Sequence, residues 1–192
     1  MALILPGILS LVQHLQVIRK NPESYRPDKC PNCYKANLWC HGCYTRKADR
    51  RDMDDSLGPI PIFRYFCPGC FMTCSVLPEC TPPRSWYPWE VRQIIFLLLL
   101  AGTSINRAKA QHGSRACRQT ICRWWRQFKE RFPLYSFHLL CHFPWLGRYS
   151  GFTDFWRVCL EKMLLSRCMF ILNSEGVCVP PYVFAEENQD AG

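Results

Sequence analysis

Residues 30–33 read Cys-Pro-Asn-Cys and residues 67–70 read Cys-Pro-Gly-Cys, and this repeated pattern decides the fold of the N-terminal half. A Cys-x-x-Cys sequence places two sulfur atoms on one tight turn, and two such turns supply the four thiolates of a tetrahedral zinc site. The proline after each first cysteine fixes the backbone of the turn. The predicted ligands of a structural Zn²⁺ ion are Cys30, Cys33, Cys67 and Cys70.

A third pair, Cys40 and Cys43, has the same spacing and competes for the assignment. This pair could replace one of the others, or it could hold a second ion with Cys74 or Cys80. Neither cysteine of this pair has an adjacent proline, so we favour a strand in which both point sideways or into a small core. A redox dithiol is a further alternative, but no thioredoxin-like βαβ pattern surrounds any pair.

Six further cysteines are scattered through helical patterns, and most of them are expected to be small buried apolar residues. They are Cys117, Cys122, Cys141, Cys159, Cys168 and Cys178.

Aromatic and β-branched residues predict strands near the cysteine pairs, and helical periodicity dominates from Trp89 onward. The expected strands are residues 38–44, 60–66 and 72–77, with a charged loop at 46–58 and a proline-rich linker at 78–88. The expected helices are 1–18, one beginning at Trp89, 105–111, one within 116–132 that Pro133 ends, 135–143 and 152–172. The polar end, residues 186–192, is expected to fray.

These elements predict an α+β protein: a small N-terminal β zinc ribbon, an all-helical helix-turn-helix domain and a short helical tail. The expected boundaries are an N-terminal helical segment at 1–25, the ribbon at 26–83, the helix-turn-helix domain at 84–132 and the tail at 133–192.

Positive charge is concentrated in the predicted helix-turn-helix domain. Residues 84–132 contain ten Lys and Arg against two Asp and Glu, which is +8 of the chain's formal charge of +9. Such a basic block favours a polyanionic partner, and double-stranded DNA is the first candidate. An ordinary three-helix bundle with a charged surface is the alternative.

The last helix of this domain has an apolar stripe, expected to be buried, made of Cys117, Ile121, Trp124 (or Trp125) and Phe128. Its other face would enter the major groove, where arginine can bind guanine and Gln119 suits adenine. Arg107 and Lys109 on the preceding helix would meet phosphates. The expected groove contacts are Arg115, Arg118, Gln119, Arg123 and Arg126, with Cys122 on the same face.

Residues 64–73 (RYFCPGCFMT), downstream of a first Cys-Pro-x-Cys, resemble the zinc ribbons at the start of bacterial insertion-sequence transposases and their accessory proteins. Residues 119–124 (QTICRW) are similar to the recognition helices that follow in those families. The resemblance covers about residues 28–130. It implies binding to transposon ends or promoter DNA in a bacterial cytoplasm, with a transposase or a second copy as a further partner. Cys74 stands where those families commonly have an aromatic residue.

A transposase also needs a domain in which three carboxylates hold two metal ions. Only about sixty residues follow the predicted helix-turn-helix, which is too short for the mixed sheet of such a domain, and their ordered acids are essentially Asp154, Glu161 and Glu175. Asp154 and Glu161 are expected on the exposed side of a helix. We therefore expect no enzyme, but a transposase accessory or regulatory protein; an inactive truncated transposase is an alternative.

A zinc-dependent protein-interaction module is the other alternative. Its partner would bind the ribbon and the aromatic residues of the tail, which are Phe143, Trp145, Phe152, Phe155 and Trp156. No export signal is evident, and the apolar run at 94–101 is too short to span a bilayer, so we expect a cytoplasmic protein with reduced thiols and no membrane partner.

Overall fold

The computed structural model describes residues 2–47, 57–112 and 116–179. This part of the chain is a mixed α+β fold with one four-stranded sheet and seven helices. The strands are β1 (Ala2–Leu5), β2 (Trp39–Arg46), β3 (Ile60–Phe66) and β4 (Thr73–Pro78). The helices are α1 (Leu11–Lys20), α2 (Trp89–Leu100), α3 (Ile105–His112), α4 (Arg118–Glu130), α5 (Phe132–His142), α6 (Phe152–Lys162) and α7 (Leu165–Ser174).

The sheet has the strand order β1-β4-β3-β2. Antiparallel pairing joins β2 to β3 and β3 to β4, and the three strands predicted from the sequence are confirmed. The ladder between β2 and β3 is irregular between Cys40 and Cys43. An extra residue in one strand of a pair bends it and leaves backbone groups unpaired, which is typical of sheet edges.

The prediction of a helix over residues 1–18 is wrong at its beginning, because Ala2–Leu5 is a strand that pairs in parallel with β4. Pro6 and Gly7 separate this strand from α1, and Gly7 has a φ of 80°, which suits glycine. Helix α1 begins only at Leu11, where Ser10 caps it by accepting a hydrogen bond from the amide of Gln13 at 3.1 Å.

The proline-rich segment at 78–88 is not an exposed linker. Pro78 belongs to β4, and residues 79–83 are buried. The amide of Cys80 donates to the carbonyl of Ile8 at 3.0 Å, and the Cys80 carbonyl accepts from the amide of Trp89 at 3.1 Å. These bonds tie the segment to the residues before α1 and to the start of α2.

The predictions for α2 and α3 are confirmed. Gly102, with a φ of 83°, ends the first of them, and the Ser104 hydroxyl accepts from the amide of Arg107 at 3.4 Å at the start of the second. Among the described residues, no helix has both the length and the apolar composition needed to cross a bilayer.

Two boundaries in the C-terminal third differ from the prediction. Pro133 does not end a helix but lies in the first turn of α5, where the missing N–H of proline costs nothing. The expected single helix over 152–172 is two helices, because Met163 and Leu164 are extended. The amide of Leu165, at the start of α7, donates a hydrogen bond to the Gln93 side chain of α2 at 2.8 Å, and this bond caps α7.

An aromatic core holds the helices together. The ring of Phe128 lies 4.3 Å from that of Phe96 and 4.2 Å from that of Trp156, measured between centroids. The sheet is joined to this core, since the Asn173 side chain accepts from the amide of Ile4 at 2.9 Å and donates to the Ala2 carbonyl at 3.3 Å. Helices α5–α7 are therefore packed into the body of the protein, and α7 holds β1 in place.

His14 of α1 is buried and hydrogen-bonded on both ring nitrogens. Its Nδ1 is paired with the Tyr25 hydroxyl, and its Nε2 lies 3.0 Å from the carbonyl of Pro61 in β3. A neutral ring that accepts from Tyr25 and donates to Pro61 satisfies all three groups. Burial lowers the pKa of His14 below its ordinary value of 6.5, although the bond to Pro61 opposes the shift.

This shift predicts that acid destabilises the fold through His14. Below about pH 6.5 the unfolded chain binds a proton that the folded ring resists, so the free energy of unfolding decreases as the pH falls. Urea unfolding of the wild type and of His14→Gln at pH 7 and pH 5.5 measures the effect. Both proteins keep the four cysteines, so acid effects on any bound metal cancel in the comparison. We expect a smaller pH dependence in His14→Gln, and an equal one would contradict the assignment.

Candidate metal centre

The two Cys-Pro-x-Cys turns have the same backbone hydrogen bonds. In each, the amide of the first cysteine donates to the carbonyl five residues later, at 2.8 Å from Cys30 and 2.9 Å from Cys67. The carbonyl of that cysteine accepts from the amide four residues later, at 2.9 Å in both turns. We call residues 30–35 knuckle 1 and residues 67–72 knuckle 2. The repeated sequence therefore folds into a repeated local structure.

The residue after the second cysteine has left-handed backbone geometry in both knuckles. Tyr34 and Phe71 each have a φ of 59°. This region costs a residue with a Cβ roughly 1–2 kcal/mol, and glycine or asparagine usually occupies it. This backbone geometry closes the turn, and both knuckles adopt it despite its conformational free energy.

The knuckles bring their four sulfur atoms together. The Sγ atoms of Cys30 and Cys70 are 3.6 Å apart, and those of Cys33 and Cys67 are 3.5 Å apart. All four sulfur atoms lie within 4.8 Å of one another. Cys30 and Cys67 are buried, while Cys33 and Cys70 are partly exposed. The four cysteines predicted as ligands thus form one cluster that could hold a metal ion.

The thiols of this cluster differ in acidity. A hydrogen bond from the Asn32 side chain, aided by the Met72 backbone and neighbouring thiols, lowers the pKa of Cys70 to about 6. The pKa of Cys33 rises to about 12: the Lys35 backbone favours its thiolate, but burial and the other thiols together outweigh that bond. The acidities of the four thiols therefore depend on one another, and deprotonation of one opposes deprotonation of its neighbours. A divalent cation would displace their protons, since metal binds the thiolate form.

The geometry fits a tetrahedral ion. Zinc with four sulfur ligands at about 2.3 Å requires sulfur atoms about 3.8 Å apart. The two measured separations of 3.5 Å and 3.6 Å are slightly shorter, so small side-chain rotations suffice to admit the ion. Four thiolates also complete its coordination and leave no position for water or a substrate.

The third cysteine pair is not part of this cluster. Cys40 and Cys43 lie in β2, as expected, but both are exposed instead of pointing into a small core. Within the described ranges, the four knuckle cysteines are the only group of three or more potential ligands close enough to share an ion. Cys74 is buried beside the knuckles in the core of the sheet, and Cys80 is buried in the segment after β4.

The expectation that the remaining cysteines are mostly buried is wrong. Cys159 and Cys168 are buried, with sulfur atoms 3.6 Å apart between α6 and α7. Cys117 and Cys141 are exposed, and Cys122 and Cys178 are partly exposed. Cys117 also precedes α4 instead of belonging to its buried stripe. Cysteine fits both a core and a surface, so helical spacing alone does not decide its position.

The basic face predicted on α4 is exposed in the structure. Ile121, Trp124 and Phe128 are buried, and the polar residues lie on the other side of the helix. The exposed residues of the predicted DNA contacts are Arg107, Lys109, Arg118, Gln119, Arg123 and Arg126. Helix α3 packs against α4, so these side chains belong to adjacent elements. Arg115 lies outside the described residues.

Arg92 of α2 is a buried cation that the sequence pattern did not reveal. Its Cζ lies 5.0 Å from the ring centroid of Trp89 and 4.6 Å from that of Trp124. Its Nε and Nη2 are buried without a hydrogen-bond partner. Burial, together with the charges of Arg46 and Arg123, lowers its pKa to about 9. The two indole rings therefore provide the stabilisation of this charge, and they connect α2 to α4.

The acids predicted on a C-terminal helix lie on the surface, and the candidate aromatic residues of the C-terminal part lie in or against the helical core. Asp154 and Glu161 are exposed on α6, as predicted, and Asp154 pairs with Arg157 at 2.8 Å. Phe155 and Trp156 are buried. Phe143, Trp145 and Phe152 pack against the same core. The aromatic residues considered for binding a protein partner are thus largely used within the fold.

Comparisons with known proteins add no family to these observations. No family model matches the chain, and neither a curated protein nor a solved structure matches it. The resemblance to insertion-sequence proteins therefore remains a resemblance of short motifs.

Proposed function

We propose that this chain is a non-catalytic, sequence-specific protein that binds double-stranded DNA and contains one structural zinc ion. The sheet with its two knuckles would be a zinc ribbon, and α2–α4 would be a helix-turn-helix unit. The observation that carries the proposal is the division of α4 into a buried apolar side and an exposed side bearing Arg118, Gln119 and Arg123.

Zinc is the ion best suited to the four-cysteine cluster. Four sulfur ligands in tetrahedral geometry select zinc or iron–sulfur chemistry over magnesium and calcium, which prefer oxygen. A closed sphere supplies folding energy and orients the knuckles. The ion would therefore stabilise the sheet, and its site would have a structural and not a catalytic role.

The helical elements support the DNA-binding part of the proposal. A sharp turn at Gly102 separates α2 from α3, and α3 packs on α4. In such units the last helix enters the major groove while the preceding helix meets the backbone. Arg118 and Arg123 would bind guanine edges and Gln119 an adenine edge, with Arg126 and Arg115 beside them. Arg107 and Lys109 would bind phosphates.

The buried Arg92 links α4 to α2 behind this face. Its guanidinium contacts the rings of both Trp89 on α2 and Trp124 on α4, close to the exposed Arg123. A face held by packed side chains keeps its base-reading residues in register with the groove. The short motifs at 64–73 and 119–124 connect the proposed activity to a transposable element, as an accessory or regulatory protein. A partner transposase and a bacterial cytoplasmic setting belong to the same proposal.

Binding to duplex DNA tests this function. The zinc-loaded protein is used to select sequences from a random duplex library, and the affinity for the selected site is measured by fluorescence anisotropy at increasing salt. We expect an enriched sequence, and a log affinity that falls linearly with log salt concentration because phosphate contacts release counterions. Absence of duplex binding at low salt would refute the proposal and favour a zinc-dependent protein-interaction module.

A further inference from the structure

We propose that an exposed aromatic face beside knuckle 2 binds single-stranded nucleic acid by stacking with its bases. This face, called the aromatic face below, consists of Trp39, His41, Phe66 and Phe71. It lies on the sheet and not on α4, so it is a second site in addition to the proposed duplex-binding surface.

The rings of the aromatic face form a continuous surface around Phe66. The centroid of Phe66 lies 6.2 Å from that of Trp39, 5.9 Å from that of His41 and 6.3 Å from that of Phe71. Trp39 is 60% exposed and Phe71 is 78% exposed. Neither the core of the sheet nor the helical core therefore covers these rings, which remain available to a ligand.

The position of Phe71 carries two costs at once. Its backbone is left-handed, a geometry that glycine adopts more easily, and its ring is exposed to water. Tyr34, at the equivalent position of knuckle 1, repeats the pattern with a φ of 59° and a 75% exposed side chain. Phe71 contacts the rest of the aromatic face through Phe66, and most of its ring is left in water, so its unfavourable conformation indicates a function for the side chain.

The charge around the aromatic face favours a polyanion. Residues 29–47 and 57–78 contain no Asp or Glu, and the acids nearest to them in the described sequence are Asp28 and Glu79. Of their cations, Lys35 and Arg64 lie beside the aromatic face. Arg46 is at the far end of β2, where its guanidinium donates to the carbonyls of Pro82 and Ser85. The Lys35 side chain lies against knuckle 2, because a Cβ added to Gly69 would meet its Cδ at 2.6 Å. Arg64 precedes Phe66 by two residues in β3, which places both on the same face of the strand.

Aromatic rings among cations are the arrangement that single-stranded nucleic acids require. Their phosphates need positive charge, and their unpaired bases offer open faces for stacking. Bases inside a duplex are already stacked on each other, so they offer no open faces on which exposed protein rings could stack. The ligand class assigned to the aromatic face is therefore single-stranded DNA or RNA.

Anisotropy with a labelled oligothymidine of about 20 nucleotides, which does not form a duplex, tests this site. The full zinc-loaded chain is compared with Trp39→Ala/Phe71→Gly. Glycine suits the left-handed position, so this variant should keep its metal and its fold while losing two stacking rings. We expect salt-dependent binding by the wild type and roughly tenfold or greater weakening for each ring removed. Phe137→Ala, which removes a ring that is 65% exposed on α5, is the matched control and should bind normally.

Trp39→Phe/Phe71→Tyr keeps two rings and should restore most of the affinity. Arg118→Ala/Arg123→Ala should lose duplex binding but keep oligothymidine binding, which separates the two sites. A wild type that binds oligothymidine but no duplex would refute the duplex function and leave this site standing. No oligothymidine binding by the wild type, or equal affinity of the wild type and Trp39→Ala/Phe71→Gly, would overturn the proposal. Binding of a protein partner that requires these rings, together with oligothymidine binding that does not require them, would also overturn the proposal.

Discussion

Replacing Cys67 with serine is expected to abolish metal binding and to unfold the sheet. The Cys67 sulfur is buried and lies 3.5 Å from that of Cys33, and no fifth Cys, His, Asp or Glu of the described residues belongs to the cluster. Structural zinc sites of this type contribute about 10–16 kcal/mol of apparent binding free energy in small peptides. A typical domain has only about 5–15 kcal/mol of net stability, so the loss of one ligand is large on that scale.

Thermal unfolding followed by circular dichroism, with zinc content measured on the same samples, checks this prediction. Cys43→Ser is the matched control, because Cys43 belongs to a Cys-x-x-Cys pair of the same spacing but is exposed and outside the cluster. We expect Cys43→Ser to keep its metal and its melting temperature. Retention of metal by Cys67→Ser, or loss of metal by Cys43→Ser, would show that the ligands are assigned wrongly.

The double substitution Arg118→Ala/Arg123→Ala is expected to remove specific duplex binding without affecting the fold. Both side chains are exposed on α4, so their removal leaves the core unchanged. Each base-contacting arginine is worth about 1–3 kcal/mol of discrimination, which is about 5- to 150-fold in affinity. Anisotropy with the selected duplex should therefore show a loss of about 25-fold or more if the two contributions are additive.

Arg19→Ala/Lys20→Ala provides the control for net charge. It removes two exposed cations from the last turn of α1 and so lowers the charge of the protein by the same amount. We expect it to weaken duplex binding little and equally for all sequences, since only long-range attraction is lost. Equal losses in the two double variants would mean that α4 does not read the bases.

Local patterns predicted the knuckles, the three strands around them and helices α2 and α3. The reason is physical: a Cys-Pro-x-Cys sequence specifies its own turn, and a strand such as Ile60–Phe66 combines β-favouring residues with flanking turn signals. The exposed side of α4 followed from the 3.6-residue period of Ile121, Trp124 and Phe128.

Features that depend on distant contacts were not predictable in this way. The strand at Ala2–Leu5 forms because it pairs with β4 and its Ile4 amide donates to the Asn173 side chain. Both partners are more than seventy residues away in sequence. The break between α6 and α7 is stabilised by Gln93 of α2. In both cases a tertiary partner overrides the local helical preference.

The buried polar groups were missed for the same reason. Arg92 looked like one more cation of a basic segment, and only the folded chain places it between Trp89 and Trp124. His14 lies on an amphipathic helix, and its partners Tyr25 and Pro61 come from elements that its own spacing does not indicate. Sequence periodicity assigns a face to a side chain, but it does not identify the partner on that face.

The stoichiometry of bound metal tests the central claim most directly. Native mass spectrometry of the full chain, purified under reducing conditions, gives the number and identity of the ions per molecule. The account predicts one zinc ion per chain, lost in Cys67→Ser and retained in Cys43→Ser. A chain that folds with no metal, or one that binds two ions with Cys40 and Cys43 among the ligands, would contradict it.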